Sequence, residues 1–183
     1  PKAIWQGIIS MRGAITILIL AWIISTVVSE MHTGEYLSTL VAGNIHAGFL
    51  PVILFMLAGV MAFATGTSWG TFGIMLPIAA AMAVKVEPSL IIPCMSAVMA
   101  GAVFGDHCSP ISDTTILSST GAHCNHIDHV TSQLPYALTV AASAATGYLA
   151  LGMTGSAPLG FVVTGIVMVV LILILKDKKK ATA

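Results

Sequence analysis

Apolar positions come in long blocks, and the polar positions between them set the plan of the chain. The first block is about Gly13 to Ser29, GAITILILAWIISTVVS, bracketed by Arg12 and Glu30. A helix needs roughly 20 mostly apolar residues to cross a bilayer, so this block predicts a first span. Trp5 and Trp22 suit its interfaces. A polar connector or short surface helix follows, EMHTGEYLSTLVAGNIHAG. The second run, about Phe49 to Ala64, ends in TGTSWGTFG, residues 65 to 73. The third, Ile74 to Val84, is too short to span as a helix, and Lys85 and Glu87 mark a surface turn after it. The fourth, about Ser89 to Phe104, is also short. Asn125 to Ser132 reads as an exposed loop. Two ordinary spans close the chain, about Leu134 to Gly152 and Ala157 to Leu175, with Pro158 suited to a first helical turn.

The short runs carry the most information. Each ends in Gly, Ser and Thr where the membrane interior ought to be. Lipid cannot satisfy bare backbone groups, so such breaks survive only inside protein or beside water. A pair of short, Gly/Pro-interrupted apolar segments is the sequence pointer to a transporter site. Residues 65 to 73 and 105 to 115 form such a pair. The runs flanking the first are consistent with a re-entrant hairpin.

Composition agrees with this plan. The chain is 57% hydrophobic and 8% charged, with a mean hydropathy of +0.98. A soluble domain is nearer to about a quarter charged. Tyr36 to Val84 and His129 to Leu175 contain no Asp, Glu, Lys or Arg. The expected fold class is an all-α membrane protein, a polytopic helical bundle with broken helices and a re-entrant hairpin, forming one transmembrane domain over residues 1–183. Net charge is zero and gives no partner. Its distribution does more: Lys176, Lys178, Lys179 and Lys180 follow the last apolar run, which predicts a cytoplasmic basic tail at 176–183. Pro1-Lys2-Ala3 shows neither an initiator Met nor a signal-peptide pattern, so the expectation is a fragment or processed chain whose N-terminal helices lie elsewhere. Cys94, Cys108 and Cys124 are odd in number and form no CxxC pair, so small buried thiols are expected rather than disulfides. The ten methionines fall mostly in apolar runs, as packing residues do. No phosphate-loop glycine pattern, basic aromatic surface or GxSxG points to a nucleotide, nucleic acid or hydrolase chemistry.

Ionisable chemistry concentrates in FGDHCSPISDTTILSSTGAHCNHIDH, residues 104 to 129, which holds three of the seven acidic residues. A charge within a bilayer is costly, so a carboxylate there usually faces a cavity and is functional. A carboxyl group in such surroundings holds either a proton or a cation, and exchange of one for the other is the elementary step of antiport. Asp106 and Asp113 are the candidates. Pro110 between them forbids a regular helix through both and frees carbonyls for a small cation. Ser109, Ser112, Thr114 and Thr115 surround them, and Thr65, Thr67, Ser68 and Thr71 stand in the other break. These are the oxygen ligands hard cations prefer. Taken singly, each hydroxyl is better explained by helix capping and helix-to-helix hydrogen bonding, but the two clusters together with the aspartates favour a functional site. The spacings of His107, Cys108, His123, Cys124, His126 and His129 match no zinc finger or HExxH site. His123, His126, Asp128 and His129 read as a hydrated loop able to tune a pH response. His107, beside Asp106, is a candidate for proton handling or a satisfied interior histidine. Glu30, Glu35 and Glu87 sit at span ends as solvated charges.

GTSWGTFGIMLPIA (66 to 79) and AGAVFGDHCSPISDTTILSSTGA (100 to 122), continued by HIDHVTSQLPYAL (126 to 138), closely resemble the NhaC-type sodium/proton antiporter family. The resemblance covers essentially the whole chain and matches the C-terminal part of a member. It implies broken helices and re-entrant hairpins like those of the broader ion-transporter superfamily, and exchange of sodium for protons across the cytoplasmic membrane in pH homeostasis. Some relatives exchange malate for lactate. Carried over, Thr67, Ser68 and Thr71 stand in the first broken element, and Asp106, Ser109, Ser112, Asp113, Thr114 and Thr115 in the second. Asp113 is the first choice for the shared proton/sodium carboxylate, because hydroxyl residues flank it on both sides; Asp106 is second, and His107 joins them. The expectation is a secondary antiporter rather than an enzyme, without cofactor and with no metal beyond transported sodium. Its expected partners are sodium and protons as substrates, membrane lipid and the N-terminal helices of the same transporter. A homodimer is left open, and nucleic acid is not expected. The rivals are a sodium- or proton-coupled organic-anion antiporter, a membrane metalloprotein using His and Cys around 107 to 129, and a structural subunit whose partner holds the active half. No Arg lies near either motif, which speaks against an organic-anion substrate.

Overall fold

Helices α1 (Leu50–Thr65), α2 (Ser68–Val86), α3 (Ile91–Cys108), α4 (Asp113–Gly121), α5 (His126–Thr154) and α6 (Ala157–Ala181) follow one another along the chain. Short 3₁₀ turns, Ala47–Phe49 and Pro88–Leu90, precede α1 and α3. This computed structural model describes residues 46–181 and isolated positions before residue 46; the side chains of Thr120 and of residues 177–181 are not among those described. The expected first span at 13–29, most of the connector after it and most of the basic tail's side chains lie outside the described residues. Five segments are long and apolar enough to cross a membrane: Ala47–Thr65, Ser68–Val86, Pro88–Cys108, His126–Thr154 and Ala157–Lys176. The described chain is all-α.

Two apolar runs that look too short to cross belong to longer helices. α2 begins at Ser68 rather than near residue 74, because Ser68, Gly70 and Thr71 are buried against neighbouring protein and need not be apolar. α3 runs on through Gly105, Asp106, His107 and Cys108 for the same reason: Gly105, Asp106 and Cys108 are buried. The breaks shrink to residues 66–67 and 109–112. Both arms around the first break have spanning length, so length alone does not require a re-entrant hairpin. Residues 126–132 form the first two turns of α5 rather than a loop. Asn125 caps that helix, accepting from the N–H groups of Ile127 (2.9 Å) and Asp128 (3.3 Å), and Asp128 sits in the first turn, where a negative charge is favoured.

The core forms where α1, α2 and α3 meet. Leu50, Leu54, Ala58 and Ala62 make one stripe of α1 and pack on Met75, Ile78, Ala79, Met82 and Ala83 of α2, on Leu90 of the second 3₁₀ turn and on Cys94, Val98 and Ala102 of α3. α1 and α3 make the most extensive contact. Gly101 and Gly105, four apart and on one face of α3, allow it. A Cβ at Gly101 would lie 2.1 Å from the Phe55 carbonyl oxygen, and one at Gly105 2.0 Å from that of Gly59. Small residues at this spacing let two membrane helices touch backbone to backbone. On the other side, the Phe55 ring lies against Phe104 (centroids 6.1 Å) and Tyr148 of α5 (5.5 Å), and Tyr148 donates to the Ser96 carbonyl (3.1 Å). α6 packs on α5 and turns nearly all of its apolar surface outward, as suits a helix facing lipid or further helices.

Candidate cation and proton site

The close approach of α1 and α3 decides what the next residue does. Asp106 follows Gly105 in the last turn of α3 and is only 5% exposed. Burying a carboxylate without hydrogen bonds is prohibitive, and both of its oxygens are engaged. Ser68 donates to Oδ2 at 2.9 Å and Ser112 donates to Oδ1 at 2.6 Å. Since the Ser112 proton goes to Asp106, Thr114 donates to Ser112 across 2.8 Å.

Each donor stands at a helix start, and the local sequence explains why. α1 stops because Gly66 adopts a left-handed conformation (φ 67°) and returns its N–H to the Ala62 carbonyl at 2.8 Å. Thr67 is extended and caps α2, accepting from the Gly70 N–H at 3.3 Å, which leaves Ser68 as the first helical residue. α3 stops because Pro110 pushes Ser109 into an extended conformation (φ −75°, ψ 128°) and supplies no N–H. Ser112 then directly precedes α4. Two helix N-termini, with their positive ends, therefore converge on one carboxylate. The breaks also touch. A Cβ at Gly66 would lie 2.9 Å from the Ile111 carbonyl oxygen, and Ser109 donates to the Phe63 carbonyl at 2.8 Å.

The other expected residues separate into two groups. Thr71 is buried but donates back to the Thr67 carbonyl (2.9 Å), and Thr65 donates to the Met61 carbonyl (2.9 Å), so neither hydroxyl proton goes to Asp106. Thr115 is buried and donates to the His107 carbonyl at 3.4 Å. Asp113 and Thr114 are exposed in the first turn of α4, and the His107 side chain is exposed in the last turn of α3. The structure thus joins Asp106, Ser68, Ser112 and Thr114 in one network and leaves Asp113 and His107 outside it. Among the described residues, no three His, Cys, Asp or Glu side chains converge as a metal site would need. All three cysteines are free; Cys94 and Cys108 are buried, but Cys124 is exposed, because it lies in the turn between α4 and α5.

Gln133 was not singled out in the sequence, and His126, read there as part of a hydrated loop, instead lies in α5 against the second break. His126 Nε2 lies 2.6 Å from the Pro110 carbonyl, and the Gln133 amide donates to the His107 carbonyl. Both His126 and Gln133 stand in the polar start of α5, HIDHVTSQ, where polarity alone singles out neither. The Gly101–Gly105 spacing, which brings Asp106 inward, was an available signal.

A chemically usable picture results. A hydroxyl that donates to a carboxylate keeps lone pairs for a cation. With Asp106 ionised, carboxylate and hydroxyl oxygens offer a hard-cation set; with Asp106 protonated, the same cluster is neutral. The model of the family described as "Na+/H+ antiporter family" matches residues 1–153. The chain belongs to the Na+/H+ antiporter family. As a member of it, with five helices of spanning length, it is a multi-pass membrane protein. It is 64% identical over 172 residues to an uncharacterised protein of Haemophilus influenzae, covering 94% of this chain and 33% of that protein. It is 34% identical over 93 residues to the malate-2H(+)/Na(+)-lactate antiporter of Bacillus subtilis (49% of this chain, 19% of the relative). A protein of H. influenzae described as an uncharacterised Na(+)/H(+) antiporter is 33% identical over 105 residues (57% and 22%). The chain therefore spans about a third or less of the length of these relatives. No solved structure matches it.

Proposed function

We propose that the protein containing this chain exchanges sodium ions for protons across the cytoplasmic membrane, and that Asp106 is the carboxylate the two ions share. The observation that carries this reading is the buried Asp106 carboxylate between Ser68 and Ser112, at the starts of two helices. In the cycle, deprotonated Asp106 takes sodium on one side, with Ser68 and Ser112 hydroxyl oxygens and carbonyls of the breaks as further ligands. The loaded site becomes exposed to the other side. A proton then replaces sodium, and the return carries the proton rather than an uncompensated buried charge. Asp113 takes the second place, as a carboxylate near the site but open to water. The Lys176–Lys180 end lies on the cytoplasmic side.

Organic-anion coupling is the second reading, favoured by the likeness to the malate-2H(+)/Na(+)-lactate antiporter. No Arg stands near either motif in the sequence, which weighs against it, although helix N-termini can hold a carboxylate.

The test uses the full-length protein in sealed vesicles with an imposed pH gradient. Sodium should collapse the gradient in wild type and not in Asp106→Asn, with both proteins inserted equally. Wild-type exchange in Asp106→Asn, with loss in Asp113→Asn, would move the shared ion to Asp113. A response to malate or lactate but not to sodium alone would favour the second reading.

A further inference from the structure

The first two turns of α5 reach into the second break. His126, His129 and Gln133 stand at i, i+3 and i+7, on one face of the helix. A carbonyl only accepts, so His126 Nε2 carries a proton and donates it to Pro110 (2.6 Å). Nδ1 of the same ring meets the Ser119 hydroxyl of α4 at 3.1 Å, and His129 Nε2 meets Ser118 at 3.1 Å. Gln133 donates to the His107 carbonyl, which also receives Thr115. In an unbroken helix these carbonyls would take the N–H groups of residues 111 and 114; the interruption leaves them open. α5 fills both, and the segment pinned between and beside them holds Ser112, the 2.6 Å donor to Asp106.

We propose that His126 and Gln133 are positioning residues of the exchange site: they hold the 109–112 interruption in the place where Ser112 meets Asp106, without touching the ion themselves. The inference rests on Asp106 as the exchanging carboxylate. It goes beyond capping for stability, because it ties α5 to sodium affinity.

The experiment uses the full-length protein in sealed vesicles at matched protein amounts, with two readouts. One is the apparent KM for sodium in collapse of the pH gradient. The other is alkylation of Cys108 by N-ethylmaleimide, quantified on its own peptide by mass spectrometry. Cys108 lies beside the break and is 2% exposed. His126→Ala removes the donor, and His126→Gln retains an N–H. Gln133→Glu keeps the shape but, ionised, only accepts. The expected result is a KM raised about tenfold and faster Cys108 labelling in His126→Ala and Gln133→Glu, as loss of one hydrogen bond predicts, with His126→Gln close to wild type. Unchanged KM in the two loss variants overturns the proposal, whether labelling rises or only abundance falls. So does His126→Gln behaving like alanine. A wild type that ignores sodium refutes the exchange reading on its own, and Cys108 labelling then still decides whether α5 holds the break.

Discussion

Gly105→Ala is the sharpest perturbation this architecture offers, because it adds one methyl group at the contact beside Asp106. The new Cβ would lie 2.0 Å from the Gly59 carbonyl oxygen and 2.8 Å from the Phe63 nitrogen. An ordinary carbon–oxygen contact is about 3.4 Å, so α3 and α1 must separate by roughly 1 Å or more. Both neighbours are helix backbone and cannot rotate away as a side chain would. The Ser109–Phe63 hydrogen bond, 2.8 Å long, cannot survive such a separation. Overpacking of this kind costs about 1–3 kcal/mol. The functional loss should be larger than the stability loss, because a misplacement of about 1 Å in a working site costs on the order of a hundredfold. The assay compares Gly105→Ala with Gly121→Ala in full-length protein, reading sodium-driven proton movement and melting temperature together. A Cβ at Gly121 meets nothing within 4 Å, so that variant controls for glycine replacement in a helix. Gly105→Ala with wild-type exchange and melting would refute both the close approach and its role in setting Asp106.

Three further outcomes follow from the same geometry. Ser68→Ala and Ser112→Ala each remove one donor to a buried charged group, worth about 1.5–3 kcal/mol, so each should weaken apparent sodium affinity roughly ten- to a hundredfold in vesicle exchange. Gly66→Ala forces an L-residue into φ 67° against the Ile111 carbonyl; it should cost about 1–2 kcal/mol or more and lower the melting temperature measurably. Asn125→Ala removes the α5 cap at a cost of about 1 kcal/mol, and should loosen His126 enough to raise Cys108 labelling without altering residues at the carboxylate.

Much of this was legible in the sequence, and the exceptions have physical causes. Gly66-Thr67 and Ser109-Pro110 announce helix ends by their chemistry, so both breaks can be read from the letters alone. The lengths of α2 and α3 cannot. Hydropathy treats Ser68, Gly70, Thr71, Gly105 and Asp106 as interruptions, whereas buried small and polar residues continue a helix wherever protein rather than lipid surrounds them. Local composition ranks Asp113 above Asp106, because hydroxyls flank it in the chain. Burial favours Asp106, whose hydroxyl partners come from Ser68, thirty-eight positions away, and from Ser112 across the break. The GAVFG spacing held that information, since two glycines four apart predict which face of α3 meets a neighbour. The start of α5 was hidden by polarity: Asn125, His126 and Asp128 resemble a loop until Asn125 is read as a cap.

The contact between Gly66 and Ile111 has a mechanical consequence. The two interruptions lean on each other through backbone, and Ser109 ties the second to the last turn of α1. A bend at either interruption would therefore press on the other. A protein that must open to one side of a membrane and then the other can rock the helices around such a contact, but pulling it apart would break its own hinge pin. In the exchange cycle proposed above, the carboxylate held there would travel little while access to it changes sides.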